Sequence, residues 1–148
     1  MSRPDLIDLY VRIGLEYKLP VLFLSDRDGS LRKAYPALID RLEKNINRLR
    51  ETQLPVLDHL IQIYGGEDLE QRKLEYFEAI SRSPLGVSEL IIHCGIDNPE
   101  LRAITSSSRR RNQDRELFSH PDTANFLRQQ GIELTSWKQL HQEQKSIR

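Results

Sequence analysis

Little in this chain of 148 residues announces a specialised role, and each scarcity excludes something. There is one cysteine, Cys94, so no internal disulfide can form and the thiol says little about redox compartment. Lysine plus arginine equals aspartate plus glutamate at 22 each, leaving no net field to recruit nucleic acid or an anionic membrane. No apolar run approaches the roughly 20 residues that span a bilayer. Arg3, Asp5 and Asp8 occupy the N-terminus without an apolar core behind them, so no signal peptide is expected. The histidines His59, His93, His120 and His141 stand singly, with no HxH, HxxxH or CxxC spacing, and no complete metal site is encoded. Internal repeats and low-complexity stretches are also missing. A cytoplasmic protein with no nucleic-acid or membrane partner is the expectation.

What is present suits one globular domain. Apolar residues make up 38% and charged ones 30%, and a chain of this length buries roughly two-thirds of its unfolded surface. The domain is expected over residues 1–148, with a polar tail at 139–148 that frays.

Apolar spacing predicts the elements. Leu6, Leu9, Tyr10, Ile13 and Tyr17 mark one face of a helix from Pro4 to Tyr17. Leu19–Leu24 is short and apolar throughout, as a strand buried on both faces would be. A turn cluster at Ser25–Ser30 precedes a helix from Tyr35 or Pro36 to about Glu51. Leu54–His59 is the second strand candidate. Asp68–Ser81 predicts an amphipathic helix with Leu74, Phe77 and Ile80 on one face. Val87–Ile92 is a third strand, running out into His93-Cys94-Gly95. A helical turn at Pro99–Ala103 follows, then a helix from about Ser106 to Phe118 and another from Asp122 to Gln130. Ile132–Thr135 predicts a fourth strand and Ser136 the cap of a C-terminal helix. Short apolar strands alternating with longer helices imply βα units around a parallel sheet, an α/β fold. Four strands make at most half of a (β/α) barrel, with two open edges.

Chemistry concentrates at His93. A titratable imidazole where a buried strand runs into a loop is where α/β enzymes place acids and bases. The competing reading is a histidine bonded to a backbone carbonyl. Cys94 is adjacent, but successive strand side chains point to opposite faces, which favours an inert thiol over a nucleophile. Glu89 shares the face of His93, yet four residues of strand separate them by roughly 13 Å. Asp58-His59 is the nearest approach to a ligand pair, and a solvated strand end accounts for it equally. Arg109, Arg110, Arg111 and Arg115 form the one basic cluster. Consecutive helical arginines do not share a face, so a solvated helix with an Arg111–Asp114 pair competes with anion binding by one arginine. Trp137 reads as a helix-interface residue or a sugar platform.

Leu85-Gly86-Val87-Ser88-Glu89-Leu90, followed by Ile91-Ile92-His93-Cys94-Gly95, resembles the PxGxTEL…HPG segment of the YdjC-like carbohydrate deacetylases, typified by chitooligosaccharide deacetylase. The resemblance continues through Asp97-Asn98-Pro99-Glu100-Leu101-Arg102 and Ile104-Thr105-Ser106-Ser107. It runs on through Arg111-Asn112-Gln113-Asp114 and Glu116-Leu117-Phe118 to Gly131-Ile132-Glu133-Leu134-Thr135-Ser136-Trp137. Upstream, Arg3-Pro4-Asp5-Leu6 and Glu16–Val21 are similar to the helix and strand after that family's metal motif. Ser88 replaces the usual Thr, and Cys94 the usual Pro.

The resemblance implies a distorted (β/α) barrel that removes N-acetyl groups from amino-sugar oligosaccharides with a divalent metal, Mg or Zn. The family's Asp-Asp and histidine ligands precede the segment similar to Ser2-Arg3-Pro4, so no metal ligand is expected in this chain. It would then be a carboxyl-terminal portion of the family. His93 matches the late histidine and is the candidate general acid or base; Arg111, Asp58 and His59 are the substrate-binding candidates. The alternative is a noncatalytic assembly or binding module, self-associating or pairing with a missing N-terminal half through open sheet edges.

Overall fold

The computed structural model describes residues 3–27 and 29–146. They form two compact units: residues 3–59 with 86–88 and 135–146, and residues 60–85 with 89–134.

In the first unit, α1 (Pro4–Tyr17) begins with proline in its first turn, where a missing N–H costs nothing. It ends at Lys18, whose φ of 54° is left-handed. After α2 (Ser30–Ala34) and a 3₁₀ turn at Pro36–Leu38 comes α3 (Ile39–Glu51). Ile7 and Val11 of α1 share a core with Leu42, Ile46 and Leu49 of α3, closed by Val21, Phe23 and Leu54. Gly14 admits this packing. A Cβ there would lie 2.6 Å from Val21 Cγ1. The helices are also cross-linked by polar groups, Asn45 Nδ2 donating to Asp8 Oδ1 at 2.8 Å. The C-terminal helix α8 (Trp137–Ser146) starts with a capping box. Ser136 Oγ accepts from Gln139 N at 3.3 Å, and Gln139 Oε1 accepts from Ser136 N at 3.0 Å. Of the expected frayed tail, residues 147–148 lie outside the described residues.

Two expected strands are not strands here. Leu19–Leu24 is extended but joins a neighbour only at a parallel bridge from Leu24 to Leu57. Apolar content buries a segment, whereas a strand also needs a continuous partner, and Pro20 and Pro55 have no N–H to give a ladder. Ile132–Thr135 is irregular for the same want of a partner among the described residues. The Leu54–His59 strand is displaced: β1 spans His59–Gln62.

The second unit is built on β1 and β2 (Ser88–Ile91), which pair in parallel across the crossover helix α4 (Leu69–Ser81). Thus α/β is right at the level of a mixed fold with a two-stranded parallel sheet. Asp68 caps α4, accepting from Gln71 N at 2.8 Å. The buried stripe of α4 is Arg72, Tyr76 and Ile80, four residues apart, while Leu74 is 69% exposed. Leu74, Phe77 and Ile80 turn through about 120° of the helix, and the stripe that is buried, centred on Tyr76, leaves Leu74 outside it. Next come α5 (Pro99–Ile104), α6 (Ser108–Ser119) and α7 (Pro121–Gln129). Aromatic contacts join α6 and α7 to α4: Tyr76 meets Phe118 edge to face at 4.9 Å, and Phe77 stacks on Phe126 at 3.8 Å. Asp114, Gln113 and Ser108 are buried on α6.

Candidate functional site

β2 ends at Ile91, and two residues later His93 emerges with its side chain exposed. Its backbone does not hang free. The His93 N–H donates to Asp114 Oδ2 at 3.0 Å. Asp114 is held in turn by its other oxygen, which accepts from Arg72 Nε at 2.6 Å and from the Tyr76 hydroxyl at 3.1 Å. Arg72 and Asp114 are each 1% exposed and Tyr76 is fully buried. Arg72 also donates to the Tyr76 hydroxyl at 3.0 Å and to the carbonyl of Gly65. Gly66, at φ 84°, explains the glycine pair there: a Cβ would lie 2.6 Å from the Arg72 backbone. Burial, reinforced by the Asp114 charge, pushes the Tyr76 phenol up to about 12.

The rest of the loop lies along α6. Gly95 N donates to Arg111 O at 3.0 Å and Asp97 N to Asn112 Oδ1 at 3.4 Å. Arg102 grips Asp97 through two hydrogen bonds of 2.8 and 2.9 Å. That grip, then a bond from Ser108, pulls the Asp97 carboxyl down to about 2. Asn98 caps α5, accepting from Leu101 N at 2.8 Å. The loop is therefore a pinned platform from which the His93 imidazole projects. Cys94 is exposed, and partial desolvation, then the Asp114 charge, raise its thiol pKa. A thiol held protonated is a poor nucleophile.

The expected Arg111–Asp114 pair does not form. Asp114 turns toward α4 and takes Arg72, while Arg111 Nε donates to Ser107 Oγ at 3.3 Å. Arg72 and Tyr76 were not legible as site residues. Their sequence signal is the four-residue stripe 72, 76, 80 behind Gly65-Gly66.

Asp58 and His59 belong to the first unit, His93 and Arg111 to the second. Asp58 Oδ2 accepts from Val87 N at 2.9 Å, and its Oδ1 lies 3.5 Å from Ser25 Oγ and 3.6 Å from Arg27. With Ser25, Asp26, Asn47 and Arg50 it lines an open cavity of about 550 Å³. The His59 Nε2 is buried without a hydrogen-bond partner. A divalent metal needs several such donors, and among the described residues no three His, Cys, Asp or Glu side chains converge to hold one. One orphaned imidazole nitrogen does not make a centre, so these residues do not fit a resident metal.

The class so defined is a mixed α/β protein with a parallel βαβ unit and a histidine presented from the carboxyl end of its second strand. The family model described as YdjC-like protein matches residues 1–129, and the chain belongs to the YdjC-like family. That family is broadly related to carbohydrate deacetylases and generally metal-dependent. No curated protein matches the chain. Among the described residues, no helix is long and apolar enough to cross a membrane.

Proposed function

We propose that the chain contributes the proton-transfer part of a carbohydrate N-deacetylase, acting on N-acetylated amino-sugar oligosaccharides, with His93 as general acid or base. Hydrolysis adds water across the acetamide: a C–O bond forms at the carbonyl carbon, the C–N bond breaks, and acetate and the amine separate. An amine anion is a poor leaving group, so a proton must reach the nitrogen as that bond breaks. An imidazole titrates near neutrality and can give this proton after taking one from the attacking water. The observation that carries the reading is the exposed His93 side chain on a loop fixed from beneath, at the carboxyl end of a parallel strand. Exposure leaves the ring free to meet substrate; the pinned backbone limits where it can be. Arg111 remains a substrate-binding candidate of the second unit, and Asp58 and His59 remain candidates of the first, where Asp58 lines a polar cavity whose groups suit sugar hydroxyls. We read the βαβ unit as part of a distorted (β/α) barrel, in a cytoplasmic protein. The noncatalytic module is not favoured beside the family match.

Acetate release from chitooligosaccharides by the chain mixed with the metal-binding segment of a YdjC-like protein, with Mg²⁺ or Zn²⁺ supplied, tests the reading. His93→Gln should lower turnover by about a hundredfold or more with the fold unchanged. Equal turnover by wild type and His93→Gln would overturn it, as would the absence of any acetate from wild type.

A further inference from the structure

A backbone N–H bonded to a buried, charge-paired carboxylate is an expensive way to end a strand. Water or a main-chain carbonyl satisfies the same donor at less cost. Asp114 is 1% exposed and contributed by α6, 21 residues from His93 in sequence. Its two oxygens divide the work: Oδ1 takes Arg72 and Tyr76, leaving Oδ2 for His93 N–H. Arg72 is fixed at its far end by the Gly65 carbonyl, so the carboxylate cannot swing away from the strand end. The bond lands on His93, whose side chain is exposed, just beyond the paired residues 88–91. Gly95 and Asp97, bonded to Arg111 and Asn112 one turn earlier on α6, hold the chain beyond it.

We propose that Asp114 is the positioning residue of the His93 site, an internal carboxylate clamped by Arg72 and Tyr76 that sets where the imidazole leaves β2. Asp114 does not touch the imidazole; it acts through the His93 backbone. Its role in catalysis rests on the deacetylase reading, whereas its role in fixing His93 does not.

Two neutral double variants separate positioning from mere support of the fold. Arg72→Met/Asp114→Asn keeps an oxygen for His93 N–H, while Arg72→Met/Asp114→Leu removes it, and neither leaves a buried charge unpaired. Amide hydrogen exchange is measured at His93 and at core amides of α1 and α4, with turnover measured alongside. The Leu variant should release the His93 amide by about tenfold or more relative to the Asn variant while the core amides stay matched. Its kcat should fall by about a hundredfold with KM little changed, since displacement of a reacting group acts on the chemical step. Should the Leu variant not fold, adding Tyr76→Phe gives an all-apolar form for the same comparison. Equal His93 protection in the two variants would overturn the proposal, because a purely structural carboxylate would not distinguish them. If His93 protection separates but wild type releases no acetate, the positioning stands and the deacetylase reading fails.

Discussion

Arg72 Nε donates to Asp114 Oδ1 at 2.6 Å with both side chains 1% exposed, an ion pair sealed inside the second unit. Buried pairs of this kind gain little over an apolar replacement, because desolvating two charges cancels most of their attraction. Losing one partner is different, since the survivor is left as a charge in a poor solvent. Arg72→Met alone should therefore destabilise the protein by about 3–5 kcal/mol, whereas Arg72→Met/Asp114→Leu should recover most of that loss. Urea unfolding monitored by far-UV circular dichroism measures both. Additive losses in the double variant would show that the two side chains do not act as a pair.

Tyr76 gives this cluster a pH signature. Its phenol is pushed up to about 12, first by burial and then by the Asp114 charge, from an ordinary value of 10.0. Above pH 10 the unfolded chain releases the proton while the folded chain keeps it, so stability falls with rising pH. The contribution is complete below about 10 and is lost as the pH climbs through about 12. Tyr76→Phe removes the ionisation, and its unfolding free energy should decline less steeply over that window than wild type.

The same cluster shows where sequence reading stops. Helix α1 matches its expectation, Pro4–Tyr17, because both a proline start and a three-four apolar spacing are local. β2 falls inside the expected Val87–Ile92, and His93 is at its end, because a short apolar run bounded by turn residues is also local. Leu19–Leu24 and Ile132–Thr135 fail as strands because a strand is defined by what lies beside it, which no window of sequence contains. Asp114 has Arg111 three residues away as a plausible partner, yet it pairs with Arg72, 42 residues distant. Both Asp114 oxygens are taken, Oδ1 by Arg72 and Tyr76 and Oδ2 by His93 N–H, while Arg111 bonds Ser107, and burial of that face of α6 depends on α4. The buried Arg72 was hidden for a related reason: charged residues on a helix are read as solvent-facing unless a partner is known.

Cys94 should report the Asp114 charge directly. Partial desolvation, then Asp114, raises the thiol pKa, with Arg115 opposing them. In Arg72→Met/Asp114→Asn the carboxylate charge is gone, and the pH midpoint of Cys94 alkylation by iodoacetamide should move down from wild type. A midpoint that stays or rises would show that the charge does not reach the thiol. The pH midpoint is the informative quantity, since the rate alone also responds to loop opening.

Gly86 joins two parts of the first unit through a contact that no side chain could share. Its φ is 136°, and a Cβ built there would lie 2.4 Å from Asp58 Oδ2 and 2.9 Å from Asp58 Cγ. That carboxylate is where Val87 N–H is bound, at 2.9 Å. Gly86→Ala carries two penalties: a backbone conformation unfavourable to any L side chain, and displacement of a carboxylate that satisfies a neighbouring N–H. Together they should cost about 2–4 kcal/mol in urea unfolding. Part of the cost belongs to Asp58, so the two positions should couple. In an Asp58→Ala background the obstructing oxygen is absent, and Gly86→Ala should cost about 1–2 kcal/mol less than in wild type. Strict additivity would place the whole penalty in the backbone of Gly86 and remove Asp58 as the reason that a glycine stands at this position.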